Sequence, residues 1–334
     1  MVKNLSLLIK SGKPINESFE LLAEQSRVPA LTQTLEKAQE KVEKGTSLYE
    51  IFDENPYFGR IFVSFIRAGE ESGTLEENLE NLGSWLERSS KLKEDISSAT
   101  LYPKLILGFA VLLAAGLSIF ILPDLVSVFN SLDVELHITT RMLLGISETM
   151  QESGLFVFGG LAAFGVAVWL LLKVEPIKKL WHSVQLRMPI AKGLVKEYQL
   201  TVIAQLISTL FASGLPITDS LEIVSQSVTN IRYREAMEKI KIRTQKGVSL
   251  GEALSDYPNL FPSVFVSVVL TGEETGSYEE GFSYLADFFS TRVSRKTEKL
   301  PVVLEPVILI FLGVMVAFLA FAIILPVYEV THEF

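Results

Sequence analysis

Three long apolar runs without a charged residue limit most strongly how this chain of 334 residues can fold. The runs are 18, 19 and 22 residues long and occupy positions 105–122, 154–172 and 307–328. At about 1.5 Å per residue, even the shortest run reaches roughly 27 Å as a helix, close to the thickness of the hydrocarbon core of a bilayer. A hydrophobic content of 49% agrees with a membrane protein, and a soluble core seldom needs three such helices. The runs therefore predict three transmembrane helices.

The charges that flank these runs predict their orientation, because Lys and Arg near the ends of a span tend to stay on the cytoplasmic side. Cations flank the expected cytoplasmic ends of all three runs: Arg88, Lys91, Lys93 and Lys104 before the first, Lys173, Lys178 and Lys179 after the second, and Arg292, Arg295, Lys296 and Lys299 before the third. The opposite flanks are mainly acidic. We therefore expect the N-terminus to be cytoplasmic and the C-terminus to be extracytoplasmic. The predicted order is a cytoplasmic region at 1–103, a first span at 104–122, an extracytoplasmic loop at 123–153, a second span at 154–172, a cytoplasmic region at 173–304, a third span at 305–328 and an extracytoplasmic tail at 329–334.

A repeat relates the two cytoplasmic regions and includes the membrane span that follows each of them. Three strings recur in the same order: Ser-Gly-x-Pro-Ile at 11–15 and 213–217, Gly-x-Ser-Leu at 45–48 and 247–250, and Gly-Glu-Glu-Ser/Thr-Gly at 69–73 and 272–276. The offset is 202 residues for the first two strings and 203 for the third. The second span has no copy, and it would return the chain so that both copies lie on the same side of the membrane. This parallel arrangement differs from the inverted repeats of many transporters.

Apolar residues in each copy follow the period of an α-helix. They recur at the spacing i, i+4, i+7 and i+11 in two stripes, which we expect to line a core. The stripes of the first copy are Leu31, Leu35, Ala38, Val42 and Leu75, Leu79, Leu82, Leu86; those of the second are Tyr233, Met237, Ile240, Thr244 and Tyr278, Phe282, Leu285, Phe289.

Helix starts and ends are also marked in both copies. Ser47 with Glu50, and Ser249 with Glu252, fit the capping-box pattern, in which a hydroxyl and a carboxylate satisfy the free N–H groups of a helix start. The stripes between Gly and Pro residues indicate about six helices per copy, and no strand pattern is present. The predicted fold is an all-α membrane protein with two repeated cytoplasmic six-helix bundles and three transmembrane helices.

The Gly-Glu-Glu strings are the candidate sites that most need an explanation. Gly73 and Gly276 precede a hydroxyl-x-x-Glu pattern, which predicts a helix turn followed by a cap. The paired glutamates would lie in the last turn of the preceding helix, where the helix dipole disfavours a carboxylate by about 0.3–1 kcal/mol. We therefore expect a partner: a Lys or Arg elsewhere in the fold, a bound cation, or another protein. An internal ion pair and an interaction role both remain open.

The candidate structural or partner-docking residues are thus Gly69, Glu70, Glu71, Gly73, Gly272, Glu273, Glu274 and Gly276 of these strings, with Gly12, Pro14, Gly214 and Pro216 of the Ser-Gly-x-Pro turns.

The sequence offers little support for catalysis or for a cofactor. It has no Cys, only three His residues, and none of the short motifs of phosphate loops, zinc peptidases or serine hydrolases. We expect no catalytic residue, no metal and no cofactor, and no segment is basic enough to predict a nucleic-acid partner. A membrane transporter or channel is the alternative function, although ionisable residues inside the spans, which such proteins usually have, are absent. A sensor would need a folded outer domain, for which the 31 residues at 123–153 are too few.

The doubled strings, in this order and with these spans between them, resemble one family: the polytopic inner-membrane platform protein of type II secretion systems and type IV pilus assembly. Leu101-Tyr102-Pro103 before the first span and the string at 139–144 in the outer loop are similar to that family as well. The resemblance covers nearly the whole chain.

The resemblance implies a protein that is not an enzyme and that connects a cytoplasmic hexameric ATPase to the extraction of pilin-like subunits from the membrane. The implied partners are that ATPase, pilin or pseudopilin subunits, other inner-membrane assembly proteins, the lipid bilayer and further copies of this chain as a homo-oligomer. Members of the family commonly have an additional N-terminal segment, whereas here the first Ser-Gly motif begins at residue 11.

Overall fold

The computed structural model describes residues 1–55, 57–116, 167, 170–171, 174–186, 188 and 191–332, and the secondary structure in these ranges is helical. The chain divides into two compact units. One contains residues 1–94 and 179–294, and the other contains residues 95–178 and 295–334. The protein is therefore all-α in the part of the chain that the structure describes.

The described helices form two sets, which we call the first set and the second set. The first set consists of α1 (Val2–Lys10), α2 (Ile15–Gln25), α3 (Pro29–Glu43), α4 (Leu48–Asp53), α5 (Arg60–Ser72) and α6 (Leu75–Gly116). A connecting helix, α7 (Glu175–Gln185), precedes the second set. The second set consists of α8 (Ala191–Ala212), α9 (Ile217–Ser227), α10 (Ile231–Gln245), α11 (Leu250–Ser255), α12 (Ser263–Thr275) and α13 (Tyr278–His332).

The helix bounds recur at the offsets of the sequence repeat. Both ends of α2, α3 and α4 reappear 202 residues later in α9, α10 and α11, and both ends of α5 reappear 203 residues later in α12. The first helices differ in length, since α1 has 9 residues and α8 has 22. The same order of turns and caps in sequence thus gives the same order of helices.

Aromatic side chains form the centre of each set. In the first set, Phe52 makes edge-to-face contacts with Phe19 and Phe62, with ring centroids 5.9 and 4.9 Å apart. In the second set, the buried ring of Phe265 contacts Phe282 and Phe289 at 6.1 and 6.0 Å. Each such ring removes a large apolar area from water and contributes about 0.5–1.5 kcal/mol per ring pair beyond burial.

The predicted burial of the apolar stripes is confirmed except at Leu86, the last position of the stripe on α6. Three stripe positions are apolar in both copies, and all of them are buried or half-buried. They are Leu31, Leu35 and Ala38 on α3 and Tyr233, Met237 and Ile240 on α10. On α6, Leu79 and Leu82 are buried but Leu86 is 41% exposed, so the expectation for Leu86 was wrong. Its counterpart Phe289 is buried, and one turn beyond it Arg292 reaches Glu197 in the N-terminal half of α8. Because α1 is much shorter than α8, no described helix of the first set covers the corresponding place.

Two helices, α6 and α13, begin in the unit that contains residues 1–94 and 179–294 and continue into the apolar runs. An 18-residue window in α6 has a mean hydropathy of 1.6 and one in α13 has 2.5, with 11% and 6% of the window buried inside the protein. Helices this apolar and this exposed are suited to a bilayer rather than to a soluble core. Two of the described helices are therefore long and apolar enough to span a membrane.

The remaining predictions on the membrane topology fall largely outside the described residues. The first predicted span is described to residue 116, and the loop at 123–153 and nearly all of the second span at 154–172 lie outside. The third predicted span lies within α13, and the helix continues into the predicted tail as far as His332.

Candidate functional site

The first glutamate of each Gly-Glu-Glu string caps the start of another helix. In the first set, the carboxylate of Glu70 on α5 accepts hydrogen bonds from the backbone N–H groups of Leu48 at 2.8 Å and Tyr49 at 3.2 Å. These are the first two residues of α4, whose N–H groups have no partner within their own helix. Glu70 therefore joins α5 to α4.

The second set repeats this contact and strengthens it. The carboxylate of Glu273 on α12 accepts from the N–H groups of Leu250 at 3.1 Å and Gly251 at 3.2 Å at the start of α11. The hydroxyl of Ser249 donates a third hydrogen bond to it at 2.5 Å. Partial burial acts to raise the pKa of Glu273, but the hydrogen bonds from Ser249, Gly251, Leu250 and Tyr278 outweigh it and hold the pKa below its ordinary value of 4.5.

These contacts identify the partner that the glutamates require. Glu70 and Glu273 do lie in the last turns of α5 and α12, where their own helix dipole disfavours them. Each carboxylate also faces the positive end of a second helix and satisfies two of its free donors. The partner of Glu70 and of Glu273 is thus a helix start inside the same set.

The capping-box prediction is wrong at one of the two serines. The side chain of Ser47 makes no capping hydrogen bond, and its buried hydroxyl has no partner among the described residues. The first two N–H groups of α4, those of Leu48 and Tyr49, are bound by Glu70 instead. At Ser249 the prediction is confirmed, since its hydroxyl accepts from the N–H of Glu252 at 3.4 Å while it donates to Glu273.

The second glutamate of each string lies on the surface. Glu71 accepts from Arg67 at 2.8 Å in a pair whose two side chains are more than 60% exposed, so the pair stabilises the fold by no more than about 0.5 kcal/mol. The guanidinium of Arg67 also lies over the ring of Tyr49, 5.5 Å from its centroid. Glu274 is exposed and forms no ion pair with a described residue. Only the first glutamate of each pair is therefore part of the core structure.

The residues around the second glutamate differ between the sets in a compensating way. Leu270 takes the place of Arg67, and Gly251 takes the place of Tyr49. A methyl group added at Gly251 would lie 2.3 Å from the side chain of Leu270, so Leu270 fills the space above that glycine. Each set thus places a side chain of its long helix over the start of its short helix, by a cation–π contact in one set and by apolar packing in the other.

The first glycine of each string allows two helices to approach closely. A Cβ at Gly69 would lie 2.8 Å from the Cα of Leu75, and one at Gly272 would lie 3.2 Å from the carbonyl oxygen of Ser277. The second glycine has a different role, since Gly73 and Gly276 both adopt a left-handed conformation with φ of 71°. The prediction of a turn at Gly73 and Gly276 is confirmed.

The predicted cap after this turn has a different geometry. The hydroxyl of Thr74 accepts from the side-chain amide of Asn78 at 2.8 Å and contacts the hydroxyl of Ser72 at 2.6 Å, instead of binding the backbone of Glu77. In the second set, Ser277 makes the corresponding contact with Thr275 at 2.5 Å.

The Ser-Gly-x-Pro strings form the turn between the first two helices of each set. Gly12 and Gly214 have positive φ values of 81° and 77°, and Pro14 and Pro216 occupy the N-cap positions of α2 and α9. The turns are closed by backbone bonds, from Lys13 to the carbonyl of Leu8 at 3.1 Å in the first set and at the equivalent position in the second. These four residues are exposed and have a structural role in the turn.

A groove is lined by residues of the first Gly-Glu-Glu string and of the second Ser-Gly-x-Pro turn. It lies where α5 of the first set contacts α9 of the second, has a volume of about 580 Å³, and is lined in part by Glu71, Arg67, Gly214, Pro216 and Asp219. Asn81 donates to the hydroxyl of Ser213 at 3.3 Å beside it. The second Gly-Glu-Glu string and the first Ser-Gly-x-Pro turn do not line this groove. Among the described residues, no cluster of three or more potential metal-ligating side chains is present.

Sequence reasoning missed the helix starts that the glutamates bind, because backbone N–H groups carry no residue-specific signal. It also missed a cluster of cations around Lys192, Lys196, Arg232 and Lys239. The i, i+4 spacing of Lys192 and Lys196 was a signal for part of that cluster, since it places both on one face of a helix.

The lowered pKa of Glu273 predicts a pH dependence of stability. A carboxylate with a pKa lower in the folded than in the unfolded state stabilises the fold above its unfolded pKa, and this contribution is lost as the pH falls through its folded pKa. We expect the wild-type protein in detergent to melt at a higher temperature than Glu273→Gln near pH 6, and the difference to shrink below about pH 4.5. Thermal melts of both proteins across this range measure it. A difference that stayed constant down to about pH 3 would contradict the role of the charged carboxylate.

Comparisons with known proteins agree over most of the chain. The family model for type II secretion system (T2SS), protein F matches residues 1–123 and 203–326. The type IV pilus assembly protein PilC of Pseudomonas aeruginosa is 30% identical over 98% of this chain and 88% of its own length. The type II secretion system protein F of Aeromonas hydrophila is 28% identical over 99% of this chain and 86% of its own length. That of Vibrio cholerae is 26% identical over 99% and 82%.

Proposed function

The chain belongs to the family of type II secretion system protein F, and we propose that it is the inner-membrane platform protein of a type IV pilus or type II secretion assembly machine. The observation that carries this proposal is the double match of the family model, once to each copy of the repeat and each time including an apolar run. Relatives in both systems align over 98% or more of this chain, so the whole chain supports the assignment.

In the proposed arrangement the two helical sets are repeated six-helix bundles in the cytoplasm, and three helices cross the membrane. The recurring helix bounds support two equivalent bundles, and the apolar windows of α6 and α13 support two of the three spans. The flanking cations support a cytoplasmic N-terminus and an extracytoplasmic C-terminus. The second span, at 154–172, is required to bring the second bundle back to the side of the first.

As platform, the protein would couple a cytoplasmic ATPase to the extraction and polymerisation of pilin-like subunits, without chemistry of its own. A series of contacts within each bundle supports such coupling. Glu70 fixes α4 to α5, and Gly69 lets α5 lie close to the start of α6. α6 then continues as one helix into the first apolar run. A partner that displaced α4 or α5 would therefore act on a helix that also enters the membrane.

In this proposal a partner docks at the exposed Glu274 rather than at the capping Glu273. Reversing the charge of Glu273 would remove a helix cap, so its effect could not be attributed to a partner. Glu274 is its exposed neighbour without an ion pair among the described residues, and we propose it as a contact for a cationic surface of the machine. Oligomerisation of the platform and contact with other assembly proteins belong to the same proposal.

The experiment replaces the gene in its host by variants and measures pilus formation or secretion. We expect loss of assembly in cells without the protein, restoration by the wild type, and reduced restoration by Glu274→Lys. A periplasm-dependent reporter fused after Phe334 checks insertion and orientation in the same cells, and it should be active for the wild type and for Glu274→Lys. Glu71 is also exposed, but its carboxylate is already paired with Arg67. Glu71→Lys is therefore the matched surface control in the first bundle.

Each contrary outcome has a definite meaning. Normal assembly in cells without the protein would contradict the platform role, and full restoration by Glu274→Lys would make Glu274 an ordinary surface charge. A reporter active only in the cytoplasm would contradict the proposed orientation. Solute uptake by the purified protein alone in liposomes would favour a transporter or channel.

A further inference from the structure

A cationic pocket lies in the second set, away from the glutamate strings. It is formed by α7, α8, α10 and the segment after α11, and it has a volume of about 630 Å³. Its charged lining residues are Lys192, Lys196, Arg232 and Lys239, with Glu235 and Asp256. All of these residues belong to the same compact unit.

The two acidic residues of the lining are paired with cations outside it. Glu235 accepts from Lys179 at 2.6 Å, and Asp256 forms an ion pair with Arg243. Neither Lys192 nor Lys239 forms an ion pair with a described residue, and both are exposed. The acids therefore leave the cations of the pocket largely uncompensated.

The other two cations are held in place by neutral groups. The ammonium of Lys196 donates to the carbonyl of Asn259 at 2.8 Å, and one guanidinium nitrogen of Arg232 donates to the hydroxyl of Ser183 at 3.0 Å. Burial, and then the positive charge of Lys192, lower the pKa of Lys196. The remaining donors of Lys196 and Arg232 are available for an acceptor that carries negative charge.

The repeat shows that the fold itself does not require all of these charges. The positions 202 residues earlier in α3 hold Ala30 in place of Arg232 and Gln33 in place of Glu235. Features that build the helical sets, such as the capping glutamates and the left-handed glycines, occur in both copies. The Arg232–Glu235 charge pattern occurs in only one copy, the one that α7 contacts through Lys179 and Ser183, so the helical set itself does not require it.

We propose that this pocket binds a ligand through a phosphate group. Four converging Lys and Arg side chains are suited to phosphate, which accepts several charge-assisted hydrogen bonds. Leu186, Leu260 and Tyr257 provide apolar lining beside the cations, and the volume is in the range of about 300–1,000 Å³ typical for small organic ligands. The ligand is thus a phosphorylated small molecule or the headgroup of an acidic phospholipid.

The test uses the full-length protein in detergent and two kinds of probe. Calorimetric titration with pyrophosphate and with ATP measures soluble phosphate ligands. Native mass spectrometry with phosphatidylglycerol, against phosphatidylcholine, counts retained lipids. We expect Lys192→Gln/Lys239→Gln to weaken binding of the effective probe by about tenfold or more. Lys37→Gln, at the position equivalent to Lys239 in the first set, should bind as the wild type does.

A melting measurement separates loss of binding from loss of fold. Neither Lys192 nor Lys239 forms an ion pair with a described residue, so the melting temperature of Lys192→Gln/Lys239→Gln should match that of the wild type while binding falls. Binding of pyrophosphate or ATP would identify a soluble ligand, and selective retention of phosphatidylglycerol would identify a lipid. Absence of binding by the wild type to every probe, or equal binding by the wild type and Lys192→Gln/Lys239→Gln, would overturn the proposal.

Discussion

Replacing Gly69 by Ala is expected to destabilise the protein by about 2 kcal/mol or more, although alanine is the better helix former. The added methyl group would lie 2.8 Å from the Cα of Leu75 and 3.1 Å from the Cβ of Asn78. The closest of these atoms is backbone, so the start of α6 would have to move away from α5. That cost exceeds the gain of up to about 1 kcal/mol from the better helix propensity of alanine. Thermal or urea unfolding of the full-length protein in detergent measures the difference.

Gly83 provides the matched control, because it also lies within a helix of the first set. A Cβ at Gly83 would meet its nearest neighbour, Lys3, at 3.6 Å, which is an ordinary van der Waals distance. Gly83→Ala should therefore be neutral or stabilising by up to about 1 kcal/mol. Equal stabilities of the two alanine variants would contradict the close packing of α5 against α6.

Replacing Glu273 by Ala is expected to have the second large effect, a loss of about 2–3 kcal/mol. Four donors lose a charged acceptor in this variant, namely the N–H groups of Leu250 and Gly251 and the hydroxyls of Ser249 and Tyr278. The N–H groups of Leu250 and Gly251 should also exchange with deuterium faster than in the wild type, because they open to solvent. Unfolding and hydrogen exchange of the full-length protein measure the two effects.

Neighbouring glutamates serve as controls for this variant. Glu274→Ala and Glu71→Ala should change the free energy of unfolding by less than about 0.5 kcal/mol, since both side chains are exposed. Glu70→Ala should have an intermediate effect, because Glu70 has two donors whereas Glu273 has four, and the hydroxyl of Ser47 can turn to cap α4 in its absence. If Glu274→Ala lowered the free energy of unfolding as much as Glu273→Ala, the assignment of the cap to Glu273 alone would be wrong.

This division within the Gly-Glu-Glu string changes how the motif should be read. Its two glycines and its first glutamate hold three helices together in each set, and its second glutamate lies on the surface. A motif that is repeated twice in one chain therefore combines a structural function with a surface that is free to differ between the copies. Arg67 over Tyr49 in one set and Leu270 over Gly251 in the other are such differences.

The helices and their turns could be predicted from the sequence because their signals are local. Apolar spacing identified the buried faces of α3, α6, α10 and α13, and the glycines marked helix ends through their left-handed conformations. The exception at Leu86 arose because burial depends on what a partner helix covers, and the first helix of the first set is short. The cap predicted at Ser47 is also absent, and the first two N–H groups of α4 are bound instead by Glu70, a side chain more than twenty residues away.

The sequence by itself determined that the chain is an all-α membrane protein with an internal repeat, because hydropathy, helical period and repeated strings are properties of the residues in order. It also predicted that all four glutamates, Glu70, Glu71, Glu273 and Glu274, need a partner, because their unfavourable position in a helix dipole can be read from helix ends alone. Only the tertiary structure decided that the partner is the start of α4 or α11, and that four cations meet in one pocket. The physical reason is that backbone donors and converging side chains acquire their partners through packing between helices, which no local pattern of residues specifies.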